Sequence, residues 1–299
     1  MSLTVLPGPL LSERTTLALG GRALAEVAAD TPADLDNLPS TLHKLGGMPL
    51  VLSKGSNLLA HDRALPLVVV TIRYQEITLA DIAAESVTLQ AGAGLSLSQL
   101  LGWLANHGLA GLERLAGIPG SLGGAVKMNA GSWGVDIGHI LTRVQVFTPK
   151  KGLIWLSNGE FTMSYRRFAL VHPTSWFVVT AAELTLRRKK SERIWQVMRE
   201  HYKNKKAVQP LTAKSCGCAF KNPHGPPGTL SAGKLLDQIG LRGFRLGGME
   251  FSAIHANFLV NNANGTSTQA LELLALAESM VKAQYGINLE REIQVIPCP

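Results

Sequence analysis

Up to about residue 190 the chain alternates short apolar runs with glycine-rich breaks, a pattern of strands and tight turns. Pro49 to Ser53, Leu67 to Ile72 and Val87 to Gln90 are rich in Val, Leu and Ile and are flanked by breakers, which predicts three strands. Leu141 to Phe147 and Leu153 to Leu156 flank Pro149-Lys150-Lys151-Gly152, a turn by its chemistry, so this pair is expected to form a hairpin. Trp176 to Leu186 continues the β content. Ser96 to His107 opens on a serine and closes against Gly108, the two punctuation marks of a short helix.

A different pattern follows. A basic helix is expected from about Ser191 to Lys206. Thr268 to Tyr285 then places Leu271, Leu274, Val281 and Tyr285 at helical spacing, with Ser267 or Thr268 as cap and Gly286 as terminator. Ile287 to Ile296 alternates like a strand: Ile287, Leu289, Arg291, Ile293 and Val295 share one face and Asn288, Glu290, Glu292 and Gln294 the other. By pattern alone that polar face is solvated. There is no internal repeat, and the picture is an α+β chain in two parts.

Composition narrows the class. The 299 residues are 46% hydrophobic and 17% charged, which excludes a disordered chain. The longest apolar stretch, Leu65 to Ile72, is far short of the ~20 residues a helix needs to cross a bilayer, and no basic segment precedes an apolar one at the N-terminus. A soluble cytoplasmic protein that does not bind membranes is expected. Cys216, Cys218 and Cys298 are too few for a disulfide framework, so reduced thiols are the default. The net charge of +8 invites a nucleic-acid reading, but its distribution weakens it: Arg187 to Lys206 alone holds nine basic and two acidic residues, and the remainder is nearly neutral. That run is either a solvated helix face, with Ile194, Val197 and His201 as its buried stripe, or a contact for an anion such as the phosphates of a nucleotide.

Three segments carry possible chemistry. Gly117 to Gly131 is the densest glycine cluster, and glycines let backbone N–H groups approach an anion. It is not a Walker A loop, because Lys127 is followed by Met128, and it lacks G-x-G-x-x-G spacing. Gly55-Ser56-Asn57-Leu58-Leu59, after the first strand, is a second loop suited to phosphate. Each could equally be a structural turn; together they favour one extended dinucleotide. Cys216-Gly217-Cys218 is too sparse for a metal site, with His201, His224 and His255 scattered, and is either a reactive thiol or small residues in a turn.

In order along the chain, Gly55 to Leu59, Gly117 to Gly131, Ser164-Tyr165-Arg166, Gly217 to Pro223, Ser231 to Gly243 and Leu289-Glu290-Arg291-Glu292 together resemble the UDP-N-acetylenolpyruvoylglucosamine reductase family, over about Thr15 to Ile296. The first two segments alone would fit many flavoproteins; the ordered set is far more specific. The resemblance implies an α+β fold in which a two-subdomain FAD-binding domain of the vanillyl-alcohol-oxidase/PCMH type, residues 1–73 and 74–190, precedes a C-terminal α+β UDP-sugar-binding domain, residues 191–299. It implies a flavoenzyme of cell-wall precursor synthesis, monomeric, in which NADPH reduces FAD and UDP-N-acetylglucosamine enolpyruvate then takes hydride at C3 and a proton at C2, giving UDP-N-acetylmuramate.

Carried over by motif, Arg166 and Glu292 flank the enolpyruvyl carboxylate, and Cys218 stands where the family usually has the serine that protonates C2. FAD would be held by Gly55, Ser56, Asn57, Leu58, Gly117, Ile118, Pro119, Gly120, Ser121, Gly123, Gly124, Asn129, Ala130 and Gly131. Tyr165, Asn222 and Asn257 would touch substrate, and Lys206 and Arg242 would contact phosphate or cofactor. A guanidinium beside the charge that develops on hydride arrival stabilises the transition state above the ground state. Glu292 is coherent there if partly protonated or tied to Arg166. A thiol, with a reference pKa near ~8.5, remains a competent proton donor at neutral pH. A second departure is the direct run Tyr165-Arg166-Arg167-Phe168, where the family often spaces Ser and Phe after Tyr-Arg. The resemblance implies that thiol, guanidinium and carboxyl act on one isoalloxazine ring. Two rivals stand beside it: another oxidase or dehydrogenase of the same FAD-binding superfamily, and a colourless nucleic-acid binder using Arg187 to Lys206.

Overall fold

The Ser86–Gly92 strand buries Val87, Leu89 and Ala91 on one face and leaves Thr88 and Gln90 half-buried on the other, the period of two that a sheet covered on one side imposes. The computed structural model to which it belongs describes residues 3–225 and 228–296; Cys298 lies outside the described residues. The chain forms two compact units. The first takes its described residues from 3–8, 24–53 and 67–204, the second from 9–23, 54–66, 205–225 and 228–296. Both are discontinuous along the chain, unlike the three contiguous segments drawn from the sequence.

In the first unit, an antiparallel sheet runs in the order Gly152–Ser157, Leu141–Thr148, Val178–Arg188, Ser86–Gly92, Ile77–Ile82, and Leu109–Ala110 pairs with the far end of Val178–Arg188. The expected hairpin is its first pair, turning at Pro149–Lys151. A second, mixed sheet follows the order Thr4–Pro7, Ala23–Ala29, Leu65–Ile72, Met48–Val51, its last pair parallel. The Leu97–Asn106 helix starts where its serine predicts: Ser96 Oγ accepts the Gln99 N–H, and Leu97, Leu100, Leu101, Leu104 and Ala105 are buried. The basic helix, Ser191–Val208, buries Ile194 against Ala105 and Ala110, with Val197 and His201 half-buried and most of its charges exposed.

The second unit gathers distant segments because their backbones pair. Leu58–Ala60 runs parallel to Gln294–Ile296, the Asn261 amide donates to the Leu17 carbonyl at 3.1 Å, and Thr16 Oγ1 donates to the Ser215 carbonyl at 2.6 Å. Its sheet is antiparallel, in the order Ser215–Cys218, Phe258–Asn261, Met249–Phe251, Arg245–Leu246. The Ser267–Tyr285 helix covers it, burying Ala270, Leu273, Leu274, Ala277 and Val281.

Two expectations are corrected here. The cap of that helix is Thr266, one residue before Ser267 and two before Thr268: Thr266 Oγ1 accepts the Gln269 N–H at 3.2 Å, and the Gln269 side chain returns a bond to the Thr266 N–H. Ser267 is diverted, since its N–H donates to Asp62 Oδ2 at 2.6 Å and its hydroxyl accepts the Asp62 N–H. Of Ile287 to Ile296, only Gln294–Ile296 is regular strand. The alternation is real, with Ile287, Leu289, Ile293 and Val295 packed on the core, but Glu292 is half-buried and not on a solvated face. Among the described residues no helix is long and apolar enough to cross a membrane.

Candidate active site

In the first unit the glycine cluster divides into a packed half and an open half. Ser121 caps the six-residue Leu122–Lys127 helix, its hydroxyl accepting the Gly124 N–H. The Leu122 N–H donates to the Leu95 carbonyl at 2.8 Å and the Gly123 N–H to the Ala93 carbonyl at 2.9 Å. The three N–H groups that begin this helix are therefore committed within the protein. A Cβ on Gly123 would stand 2.8 Å from Ala93 Cβ. Gly123→Ala is accordingly expected to lower stability by about 1–3 kcal/mol through overpacking, read as a fall in thermal midpoint. Gly117 to Gly120 is the open half, half-exposed to exposed, with Gly117 at φ +84 and Gly120 at φ +121, where a side chain would strain the backbone.

The same cluster ends against Arg166. Phe161–Ser164 and Arg167–Leu170 form an antiparallel hairpin in which Ser164 pairs with Arg167, so Tyr165-Arg166 closes as a two-residue turn with Arg166 at φ +57. The departure from family spacing thus folds as a tight turn. The guanidinium lies 5.1 Å from the centroid of the Tyr165 ring, which is 42% exposed, and Arg166 Nε is buried. Gly131 packs on it: a Cβ there would sit 3.3 Å from Arg166 Nη1.

In the second unit a short backbone network holds Cys218 and Glu292 on neighbouring segments. Gly217, at φ +77, and an irregular register between Ser215 and Cys218 bulge the strand. The Ala219 carbonyl then accepts the Glu292 N–H at 2.8 Å, Phe220 bridges Arg291, and the Lys221 N–H donates to the Glu290 carbonyl at 2.8 Å. Behind this, Asn257 is 2% exposed and spans Phe220: its Oδ1 accepts the Phe220 N–H at 2.9 Å and its Nδ2 donates to the Phe220 carbonyl at 2.8 Å. Asn57 Nδ2 donates to the Glu292 carbonyl at 3.0 Å, and the Gln294 N–H donates to the Asn57 carbonyl at 3.0 Å. Gly55, at φ +55, lets this loop lie against Arg14 and Thr15, whose backbone a Cβ would meet within 2.8 Å. Leu58 continues directly into the strand paired with Gln294, and Ser56 is half-buried beside it.

Cys218 is half-buried and Cys216 buried. Burial pushes the Cys216 thiol far above its ordinary range, and the nearby Cys218 and Glu292 push it the same way. It stays a neutral thiol, so of the two only Cys218 has the exposure for chemistry. Around them, Asn222 Oδ1 accepts the Ala232 N–H at 3.0 Å at the start of the Ala232–Gln238 helix. Arg242 is exposed and grips Asp237 through two bonds of 2.5 and 2.7 Å, with Nη1 donating to the Ile254 carbonyl at 3.0 Å.

Two features escaped the sequence reading. Lys206 is exposed, whereas Lys205 is 3% exposed. The signal was present, since Ile194, Met198, His201 and Lys205 follow one helical stripe at spacings of four, three and four. His255 was noted only as a scattered metal candidate. Its Nδ1 accepts the Asn257 N–H at 3.2 Å, and burial lowers its pKa below the usual histidine value.

Residues 23–157 match the family model described as FAD binding domain, which defines a flavin-binding protein, and residues 209–296 match the UDP-N-acetylenolpyruvoylglucosamine reductase C-terminal domain. The chain is 52% identical over 295 residues to the UDP-N-acetylenolpyruvoylglucosamine reductase of Nitratidesulfovibrio vulgaris, covering 98% of this chain and 99% of that one. It is 47% identical to that of Oleidesulfovibrio alaskensis, covering 99% of both. The crystal structure of the Thermus caldophilus reductase superposes with a TM-score of 0.81 at 34% identity, covering 99% of this chain and 100% of that one. The chain belongs to the UDP-N-acetylenolpyruvoylglucosamine reductase family.

Proposed function

We propose that this chain reduces UDP-N-acetylglucosamine enolpyruvate to UDP-N-acetylmuramate for peptidoglycan synthesis, as a monomeric cytoplasmic flavoenzyme with NADPH as reductant. The observation that carries this reading is the backbone bond from the Glu292 N–H to the Ala219 carbonyl, which sets Cys218 and Glu292, both half-buried, on neighbouring segments in a member of this family. The first unit's residues suit FAD: the Gly117–Gly120 backbone is open to a pyrophosphate, and Gly131 carries no side chain that would crowd Arg166. When bound, FAD supplies the hydride chemistry that amino-acid side chains lack.

The protein's own groups do the rest. Arg166 holds the enolpyruvyl carboxylate and stabilises the negative charge that grows there as hydride arrives at C3. Cys218 gives its Sγ proton to C2, completing the reduction. By the family resemblance Glu292 serves the enolpyruvyl carboxylate. Tyr165, Asn222, Lys206 and Arg242 serve the sugar nucleotide. Asn257 supports this set by fixing Phe220, two residues from Cys218. The purified protein is expected to be yellow, or to become so with added FAD, to be bleached by one equivalent of NADPH, and under anaerobic conditions to turn over further NADPH only when the enolpyruvyl sugar nucleotide is present. A colourless protein that cannot be reconstituted, binding nucleic acid in a salt-sensitive manner, would overturn the reading in favour of the basic-helix alternative.

A further inference from the structure

Asn129 stands in the glycine cluster as an expected cofactor contact, yet it is 4% exposed and the protein uses both ends of its amide. Nδ2 donates to the Ser164 carbonyl at 3.0 Å, and Oδ1 accepts the Gly138 N–H at 3.0 Å. The Gly138 N–H can only donate, which fixes which end of the amide faces Ser164. Ser164 is the last strand residue before the two-residue turn, so the carbonyl that Asn129 grips is the one from which Tyr165 and Arg166 depart. Both ends of this link are held in the left-handed region, Asn129 at φ +41 and Arg166 at φ +57. Asparagine tolerates that conformation; arginine does so at a cost. Two residues beyond Asn129, Gly131 leaves the space that Arg166 Nη1 occupies, 3.3 Å from where a Cβ would lie. One five-atom amide and one glycine thus set both the backbone that launches Arg166 and the surface on which its guanidinium rests.

We infer that Asn129 is a positioning residue for Arg166, serving the sugar-nucleotide step and not the binding or reduction of flavin. The inference rests on the role proposed above for Arg166. It separates two steps that a cofactor contact would not separate. A displaced guanidinium leaves flavin binding and its reduction by NADPH untouched, and slows only the transfer to the enolpyruvyl group.

The test uses holoenzyme carrying Asn129→Ala or Asn129→Asp. Asp keeps the acceptor for Gly138 and loses the donor to Ser164, and its near-identical shape carries the test if the alanine variant folds poorly. Expected are parental flavin content, parental bleaching by NADPH, and anaerobic reoxidation by UDP-N-acetylglucosamine enolpyruvate slowed about 100-fold, as a displacement of about 1 Å at a reacting group can cause. Lost flavin affinity with parental reoxidation would return Asn129 to the cofactor and overturn the inference. Equal slowing of both steps, or parental rates in both, would overturn it too. Arg166→Lys is measured in parallel: if its reoxidation is parental, the role of Arg166 itself fails, a result distinct from any outcome at Asn129.

Discussion

Cys218→Ala is expected to keep flavin binding and reduction by NADPH and to lose turnover of the enolpyruvyl sugar nucleotide by about 10²–10⁴-fold, the range that a positioned proton donor supplies. The split follows from where the thiol sits. Cys218 ends a bulged strand and lies one residue from Ala219, whose carbonyl is fixed by the Glu292 N–H. Removing Sγ leaves that backbone network intact. Cys216 cannot take over, since it is buried with its thiol held neutral and its Sγ directed to the Leu259 carbonyl. Cys218→Ser restores an O–H donor of similar reach and is expected to retain measurable turnover. Stopped-flow flavin absorbance for each half of the cycle distinguishes these outcomes, and parental reoxidation in Cys218→Ala would remove the thiol from the mechanism.

Arg166→Gly is expected to separate stability from activity. The residue occupies the second position of a two-residue turn at φ +57, a conformation costing an L-residue with a Cβ about 1–2 kcal/mol. Glycine relieves that strain and adds back about 0.5–1 kcal/mol of unfolded-state freedom, so the denaturation midpoint should stay close to the parent's or rise. Turnover should nevertheless fall about 10²–10³-fold, the usual loss when a preorganised partner of developing negative charge is removed. A midpoint that falls sharply together with activity would mark Arg166 as a structural element of the hairpin. Unchanged turnover would end its assignment to the substrate carboxylate.

Much of the architecture was legible because burial on one face leaves a period. Val87, Leu89 and Ala91 announce a strand by alternation, and Ser96 with Gly108 brackets a helix by capping chemistry alone. The alternation of Ile287 to Val295 likewise reports which side meets the core, although a regular ladder forms only at Gln294–Ile296. What stayed hidden depends on partners distant in sequence. Thr266 and Ser267 are equivalent caps until Asp62, some 205 positions away, engages Ser267. Lys205 and Lys206 differ by which side of a helix is covered, and the stripe through Ile194 and His201 had to be extended one turn to tell them apart. The asparagines illustrate the limit best. A motif reveals an amide at 57, 129 and 257 but not whether it faces a ligand or a backbone, and in this fold Asn57 bonds Glu292, Asn129 bonds Ser164 and Asn257 bonds Phe220.

The most direct measurement is an anaerobic single turnover: the holoprotein is bleached with one equivalent of NADPH and then mixed with UDP-N-acetylglucosamine enolpyruvate while the visible flavin band is followed. The account predicts that the band returns and that the product carries solvent deuterium at C2 when the reaction is run in heavy water. A band that stays bleached in the presence of the sugar nucleotide, or a product with no solvent deuterium at C2, would contradict it.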